Sequence, residues 1–562
     1  LWIPAFAGMT GKEMALVGLL LAVLAVFVIY FVIYLAYAKS LFAFPFDFDQ
    51  GEGFELNDAI LLARGQGIYL DNSVYPFYSG NYPPVYRLML VPLVWLFGPH
   101  IWVGRVLTFG TSLVCGLLIF YAVWSAWPMA DRRARPARVL VSAICALAFF
   151  SSNYVYWIGP LARAHIPMVM FSLAGAVAFN MAVSPQRRRD TENAEDISQR
   201  LSAFAVKKWY VLGFVFIMLA GWTKLQAVDV IVAGFAFALI QNPRVFAKAL
   251  LACGLITGAG VLALNALTGG QFWLNVVSAN VNEYDINRTW AFYGEWFRLH
   301  TGLIAFGVAM VIWDIARAIR QKSLRAMSIW SLWFLASVSI VGMLTGKWGA
   351  GPTYLISAVA CACVCAGRLV MAFLPPPTPP AGRKETIVHR LSSIVLPSFA
   401  ALLLWQATLT VHMPTSGRLF GALARVMGIP PGASSYPPYP YVDSVGYTQL
   451  GHLLDAADTA NGWQLAQIAR ESPGPVWSEE AMIAINAGKD VVTNPTQLLN
   501  LSKNNALDTS RMIDMIDRRV FGRVIFRAQF YPNDVLIAIG QNYKWCQTVR
   551  MNGFDYQVLC PR

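Results

Sequence analysis

Acids and glycines crowd together in the run Phe46-Asp47-Phe48-Asp49-Gln50-Gly51-Glu52-Gly53-Phe54-Glu55. In an extended segment successive side chains alternate, so Asp47 and Asp49 point to one face. Gly51 and Gly53 permit a tight turn into a helix predicted to begin near Phe54, and that turn would bring Glu52 back toward the same place. Three carboxylates gathered this way have two chemical uses: taking a proton from an attacking nucleophile, or holding a divalent cation such as Mg2+ or Mn2+. They also have a structural use, because acids suit the positive end of a helix, and the D-x-D-x-x-E spacing alone does not choose among the three. A second acidic run, Asn280-Val281-Asn282-Glu283-Tyr284-Asp285, offers Glu283 and Asp285 to an acceptor, to a metal or simply to solvent.

The elements that must position these residues belong to a membrane protein. Of the 562 residues, 57% are hydrophobic and 13% charged, against about 25% charged in ordinary soluble chains. One soluble core is excluded at this length, since compact cores stop growing near ~250–300 residues. Residues 15–37 form an uncharged apolar run, and about 20 such residues cross a bilayer. Similar runs recur, so a cleaved leader does not account for them. The chain opens at Leu1, and no function is placed on the residues before Met14. The apolar runs 14–38, 101–127, 138–157, 164–183, 209–223, 226–241, 248–267, 299–316, 327–345, 353–373 and 393–411 predict about eleven transmembrane helices.

Positive charge orients them. Arg132/Arg133/Arg135/Arg138, Arg187/Arg188/Arg189 with Lys207/Lys208, Arg244/Lys248, Arg317/Arg320/Lys322/Arg325 and Arg383/Lys384/Arg390 all fall on one side, if 39–100 lies on the other. The positive-inside rule makes that side cytoplasmic. The net charge of +13 is then a topological signal, with a contribution from anionic headgroups of the membrane lipids, and requires no nucleic acid. Three larger pieces are predicted outside: the loop 39–100, the loop 268–298, and everything after His412. The loops are aromatic, with Tyr69, Tyr75, Phe77, Tyr78, Tyr82 and Tyr86 in the first, and such rings suit either the headgroup layer or a sugar face.

The chain divides into a membrane domain (1–411), a Pro-rich linker (412–446) through Pro430-Pro431 and Pro437-Pro438-Tyr439-Pro440, and a small α/β domain (447–562). That domain is predicted to hold a helix over 447–470, a strand at 475–479 leading into a helix ending near Gly488, a strand at 519–526, a helix at 533–543 and a closing strand pair. Cys546 and Cys560 flank the pair and would form a disulfide in an oxidising compartment. Cys361, Cys363 and Cys365 lie mid-helix, where i and i+2 side chains diverge by about 200°, and are read as packing residues. The tail shows no Gly-rich phosphate loop, H-E-x-x-H or nucleophile elbow, so it is read as positioning an acceptor or forming a lid.

The order of the first loop carries a further signal. After the acids come a short helix (55–65), a Gly67-Ile68-Tyr69 turn, Asn81-Tyr82-Pro83-Pro84-Val85-Tyr86, and Gly104-Arg105 opening the second span. This order resembles the GT-C superfamily of membrane glycosyltransferases, specifically the family 39-like bacterial relatives of protein O-mannosyltransferases and aminoarabinose transferases. Those proteins carry acids after the first span, a G-x-x-x-Y turn, a Y-P-P-x-Y helix start and a G-R before the second span. The matching residues here are Asp49 and Glu52, Gly65/Tyr69, Tyr82-Pro83-Pro84-Val85-Tyr86 and Gly104/Arg105.

The resemblance implies transfer of a hexose or pentose from a polyprenyl-phosphate donor to a lipid, glycan or protein acceptor, at the outer face of a bacterial inner membrane. Asp49 is then the first choice for the base and Asp47 the second, with Glu52 assisting or helping to hold a metal, and Tyr82 and Tyr86 lining the substrate site. An inverting displacement is the simplest scheme. The leaving group is a lipid phosphate, so cations belong at the outer boundary. Candidates are Lys224 in Trp222-Thr223-Lys224-Leu225-Gln226, Lys347 in Gly346-Lys347-Trp348-Gly349 ahead of Pro352-Thr353-Tyr354, and Arg163 and Arg298. Arg288, in mid-loop, is read as solvated. The chain departs from its relatives in Leu161-Ala162-Arg163-Ala164-His165, where His165 stands in place of an acid. It is either a structural hydrogen-bonding residue or a group titrating near neutrality that binds donor or acceptor. The rival classes are a lipid or glycan transporter, for which the chain lacks obvious inverted repeats, and a noncatalytic scaffold on the same fold.

Overall fold

A computed structural model of the chain describes residues 11–126, 135–183, 196–373, 384–410, 412–429 and 448–562. Arg132, Arg133, Arg187, Arg188, Arg189 and Arg383, and the Pro-rich run from Pro430 to Pro440, lie outside the described residues. Among the described residues, eight helices are long and apolar enough to cross a membrane: Met14–Ala43, Ile101–Trp124, His165–Ala182, Val206–Thr223, Pro243–Leu267, Ile286–Arg320, Ile329–Gly346 and Pro352–Phe373. Three shorter apolar helices, Pro136–Phe150, Leu225–Gln241 and Ile394–Leu409, fall where the other predicted spans lie. The predicted span 138–157 is interrupted: a helix ends at Phe150 and another runs over Asn153–Ile158. At the break Ser151 Oγ donates to the Ala148 carbonyl and Ser152 Oγ bonds His300 Nε2, and serine side chains bonded this way compete with the helix ladder.

In lipid, helices associate through close packing rather than through the hydrophobic effect, so small residues mark the contacts. A Cβ on Gly175 would stand 2.6 Å from Ile217 Cγ2, and one on Gly213 or Gly234 would strike the Phe179 ring. The Pro352–Phe373 helix is the most enclosed, with 89% of its apolar window buried, and Pro243–Leu267 is outermost, with 0%. Cys361, Cys363 and Cys365 are buried in the first of these. Two acids within the spans serve the packing. Asp229 accepts hydrogen bonds from Trp333 Nε1 and Ser337 Oγ, and Asp314 accepts from Ser331 Oγ and the Ser328 amide.

The C-terminal domain is built on a four-stranded sheet of order β1-β2-β4-β3, where β1 is Val476–Ser478, β2 Arg523–Phe526, β3 Tyr543–Met551 and β4 Phe554–Pro561. β1 and β2 are parallel and the other pairs antiparallel. A parallel pair needs a crossover, and the helices Ala481–Asn486, Pro495–Lys503 and Ser510–Asp517 supply it. The last two were not foreseen, although Asn494 accepts from the Gln497 amide and is followed by Pro495, a standard N-terminal signal. A disulfide joins Cys546 on β3 to Cys560 on β4.

One polar edge of this domain ties both large loops together. Asn494 Nδ2 donates to the Ser79 carbonyl and Gln497 Nε2 to Asn275 Oδ1. Asn500 Oδ1 accepts from Asn282, and Asn504 Nδ2 donates to the Ser278 carbonyl. Asn72 of the first loop also donates to Asn275 Oδ1, at 2.7 Å. The first loop, the second loop and the C-terminal domain therefore share one side of the helices.

The half-cystines are 14 residues apart in sequence, and closing a loop of that length is worth about 3 kcal/mol. Cys560→Ser should lower the thermal unfolding midpoint of the C-terminal domain in the intact chain. Dithiothreitol should shift the parent likewise and leave the variant unmoved. Equal midpoints for parent and variant would assign the domain's stability to its core alone.

Candidate active site

The site begins with a buried arginine. Gly104 allows the Ile101–Trp124 helix to press on the segment before His165, since a Cβ there would lie 2.7 Å from that of Ala162. The next residue, Arg105, donates five hydrogen bonds. Nη1 reaches the carbonyls of Leu41 and Phe44, Nη2 reaches that of Phe46, and Nε and Nη2 grip the two oxygens of Glu52 at 2.9 and 2.8 Å. Glu52 also accepts the amides of Ala162, Phe48 and Asp49. Burial works against its charge, but Arg105 prevails and holds the carboxyl below its ordinary range. Glu52 is thus a saturated structural anion.

The helix starts at Glu52 rather than Phe54 and runs to Ala63. Gly51 has φ −90°, so its freedom is not used for a left-handed turn. It is needed for space: a Cβ on Gly51 would overlap Arg163 Nη1 at 1.3 Å, and one on Gly53 would sit 2.6 Å from Asp47 Oδ1.

The other two acids diverge. Asp47 is buried, with Oδ1 accepting from the Gly53 amide at 2.6 Å and Oδ2 from the Met482 amide at 2.9 Å. Its carbonyl accepts from Asn552. Burial and the nearby Glu480 raise its pKa. It acts as a strut between the first loop and the C-terminal domain. Asp49 Oδ1 accepts from the Gly51 amide at 3.1 Å and pairs with Arg163 Nη2 at 3.3 Å, while Oδ2 has no hydrogen-bond partner among the described residues. A divalent cation wants six or more oxygen ligands. With Asp47 and Glu52 spent, the expected triad does not fit a resident metal, and no group of three His, Cys, Asp or Glu side chains among the described residues converges as a metal site.

Beside Asp49 lies a group of cations around Tyr82. The Tyr69 hydroxyl donates to the Tyr82 carbonyl, and Lys224 Nζ lies 4.0 Å from the centre of the Tyr82 ring. Lys347 Nζ donates to the Asn280 carbonyl at 2.9 Å, close enough to Tyr82 and Lys224 to feel both. Neither lysine forms an ion pair with a carboxylate among the described residues. Burial first, and then Arg163, push Lys224 well below its ordinary pKa. Burial, with help from Lys224, lowers Lys347 as well.

Sequence reasoning missed a neighbouring triad: Arg87 pairs with Glu55 at 2.8 Å and with Asp58 at 3.0 Å. The Tyr78 hydroxyl donates to Asp58 as well. Burial lifts Asp58 to about 6 despite these partners. The spacing of Glu55 and Asp58, one helical turn apart, was the available signal.

Other expected site residues fall elsewhere. Tyr86 is core, its hydroxyl bonded to Thr108. Arg298 is exposed on the Ile286–Arg320 helix, where its charge acts on Glu295 and Tyr154. The Glu283 carboxylate is exposed and only loosely paired with Lys503 at 3.9 Å. Arg288 is not simply solvated, since it donates to the Ala350 carbonyl. His165 stays close, beside Arg163, with Nε2 3.3 Å from Thr353 Oγ1.

An apolar groove leads to this cluster. It encloses about 460 Å³ between the helices ending at Thr223 and Gln241 and the outer Pro243–Leu267 helix, and is lined by Pro83, Trp222, Leu225, Ile231, Phe235 and Phe272 among others. Pro83 adjoins Tyr82, and Lys224 lies between Trp222 and Leu225. On the opposite flank the C-terminal domain contributes the loop 527–530. Glu479 accepts all four of its backbone amides, and Phe530 stacks on Trp348 beside Lys347.

No protein-family profile and no curated protein matches the chain. Among solved structures, apo ArnT from Cupriavidus metallidurans aligns with a TM-score of 0.56 and 11% identity over 95% of this chain and 97% of that one. The same protein bound to undecaprenyl phosphate aligns at 0.54 and 12%, with the same coverage. At such identity the likeness is one of fold, and this GT-C-like membrane fold is the one expected from the first loop.

Removing the charge of Glu52 would strand a buried guanidinium, at a cost of about 3–5 kcal/mol. Glu52→Gln should sharply lower the unfolding midpoint and the yield of folded protein; a normal midpoint would show that Arg105 is held by its carbonyl partners alone. An anion seated between Lys224 and Lys347 would raise both lysines' pKa values, so its binding takes up protons. Affinity for a lipid phosphate should fall as pH rises through the depressed lysine range, and the binding heat should change with the ionisation enthalpy of the buffer. A buffer-independent heat would mean the lysines are already charged.

Proposed function

We propose that this chain is a glycosyltransferase that moves a sugar from a polyprenyl-phosphate donor to an acceptor. The observation that carries the reading is an apolar groove lined by the chain neighbours of Tyr82 and Lys224, beside two lysines without carboxylate partners and an aspartate with one unengaged oxygen. The polyprenyl tail occupies the groove, where apolar walls replace lipid. The phosphate lies against Lys224 and Lys347, and the sugar projects toward Asp49. That a protein of this fold has been crystallised with undecaprenyl phosphate supports a lipid-phosphate ligand.

Asp49 is the base. The acceptor hydroxyl attacks the anomeric carbon, Asp49 Oδ2 takes its proton, and the bond from that carbon to the phosphate oxygen breaks with its electron pair leaving on the lipid phosphate. The two ammonium groups meet the charge as it develops. Arg163 orients Asp49 through Oδ1, which leaves Oδ2 for the proton. One base and one leaving group make the transfer inverting.

Residues 1–411 form the catalytic membrane domain and 447–562 a domain that positions the lipid, glycan or protein acceptor, as the contacts of Phe530 with Trp348 favour. We place the site on the periplasmic face of a bacterial inner membrane. The disulfide of the C-terminal domain fits an oxidising compartment. The acids within the spans are engaged in helix contacts, so nothing in them favours a transporter.

Labelled polyprenyl-phosphate sugars incubated with membranes holding the intact chain test the reading. Asp49→Asn should lower transfer by about a hundredfold or more while leaving lipid-phosphate affinity nearly unchanged, and Lys224→Ala should chiefly weaken that affinity. Transfer surviving in Asp49→Asn places the base elsewhere, a product of retained anomeric configuration removes the inverting scheme, and failure to bind any polyprenyl phosphate defeats the reading.

A further inference from the structure

The cations and acids of the site do not cancel evenly, and the imbalance bears on the sugar. The carboxylates whose charges reach Arg163 or Lys224 are Asp49, Glu52 and Glu55. Each already has a guanidinium: Asp49 has Arg163, Glu52 has Arg105 and Glu55 has Arg87. Arg87 is shared with Asp58, so every one of these carboxylates has a cation, and the charges without a carboxylate partner are the two lysines.

Apart from the second oxygens of Asp49 and Glu55, the uncommitted polar atoms beside them include a neutral set. Both amide atoms of Gln226, two residues after Lys224, are buried without a hydrogen-bond partner, and so is Nδ1 of His165. Gln226 is 6% exposed and His165 6%. Both border the segment Pro352–Leu355: His165 Nε2 is 3.3 Å from Thr353 Oγ1, and the Gln226 amide approaches the Tyr354 hydroxyl closely enough to act on it without a hydrogen bond of good geometry. The same Tyr354 feels Tyr82, which carries Lys224 on its ring face, so these groups are contiguous with the phosphate cations. Buried polar atoms are almost always satisfied. An amide oxygen, an amide N–H and an imidazole nitrogen are the acceptor and donor set that matches sugar hydroxyls. An ammonium substituent seated among Gln226, His165, Thr353 and Tyr354 would find no carboxylate within that set and two lysines of its own sign nearby, which is rejection by like charge.

We propose that Gln226 and His165, framed by Thr353 and Tyr354, form the sugar subsite of this enzyme, and that the subsite takes an uncharged, hydroxyl-bearing sugar and excludes an amino sugar. The inference rests on the glycosyltransferase reading above and adds the class of its donor. The lipid phosphate supplies affinity for every donor, and the neutral subsite supplies the difference among them.

The test is binding of three ligands to the full chain in nanodiscs: polyprenyl phosphate, polyprenyl-phosphate glucose and polyprenyl-phosphate glucosamine. The glucose lipid should bind at least about tenfold more tightly than the bare phosphate (about 1.4 kcal/mol), and the glucosamine lipid should show no gain. Gln226→Ala and His165→Ala should each remove most of the gain while leaving the affinity for bare polyprenyl phosphate unchanged. Gln226→Glu should bring the glucosamine lipid up to or above the glucose lipid. A glucosamine lipid that outbinds the glucose lipid in the parent overturns the proposal, as does a Gln226→Ala variant that weakens all three ligands alike. Binding of the bare phosphate with no gain from either sugar overturns the subsite and leaves the lipid-phosphate reading standing, whereas binding of none of the three defeats both.

Discussion

A guanidinium at the mouth of a membrane helix cannot stay unpaired, and Arg105 meets that demand with three carbonyls and both oxygens of Glu52. Everything nearby inherits its position from this contact. The carbonyls of Leu41, Phe44 and Phe46 fix the exit of the first helix, and Glu52 fixes the start of the next. The residues between them, including Asp49, have little freedom left. Glu52 then accepts the Ala162 amide, which places Arg163 against Gly51 and within reach of Asp49. A neutral pair of the same shape would pack, but it would not draw these backbone atoms together.

Around this centre, charge is handled in two ways. Four carboxylates are matched to three arginines, Arg87 holding both Glu55 and Asp58, and the pairs of Arg87 and Arg105 are fully buried. The lysines are left over, resting on a ring face and a carbonyl. Matched pairs build the walls, and the surplus marks where an anion completes the balance. Desolvation makes that surplus costly to maintain, which is why both lysines have depressed pKa values in the free protein. The groove beside Lys224 includes exposed apolar residues such as Leu225 and Leu250, so a ligand with an apolar tail and an anionic head meets both demands in one pose.

Much of this was legible in the chain. Apolar runs located the membrane helices because every backbone group in lipid must bond within its own segment, and the predicted strands lie at all four observed ones, with Cys546 and Cys560 joined as expected of an oxidising compartment. The acids, Lys224, Lys347 and Tyr82 were singled out from one loop and two short turns, and the structure gathers Asp49, Arg163, Lys224, Lys347 and Tyr82. What was not legible is which acid is spent. Asp47 is occupied by the Met482 amide, 435 residues away, and Glu52 by an arginine outside the acidic run. Tyr86 shares a motif with Tyr82 yet packs in the core, because Tyr82 lies in the bend before the Val85–Phe97 helix and Tyr86 in its first turn. The Pro495–Lys503 helix went unnoticed although Leu498 and Leu501 form a short buried stripe; its other face is a row of amides.

That row of amides has its own consequence. Asn494, Gln497, Asn500 and Asn504 join the C-terminal domain to both loops. None of these side chains titrates, and none carries a charge for salt to screen, whereas exposed ion pairs weaken within a Debye length of about 10 Å at 0.1 M salt. On the proposed periplasmic face the chain would meet acidity and ionic strength that it does not control. A seam of neutral amides keeps its alignment through such swings, so the geometry over the site is buffered against the weather of its compartment.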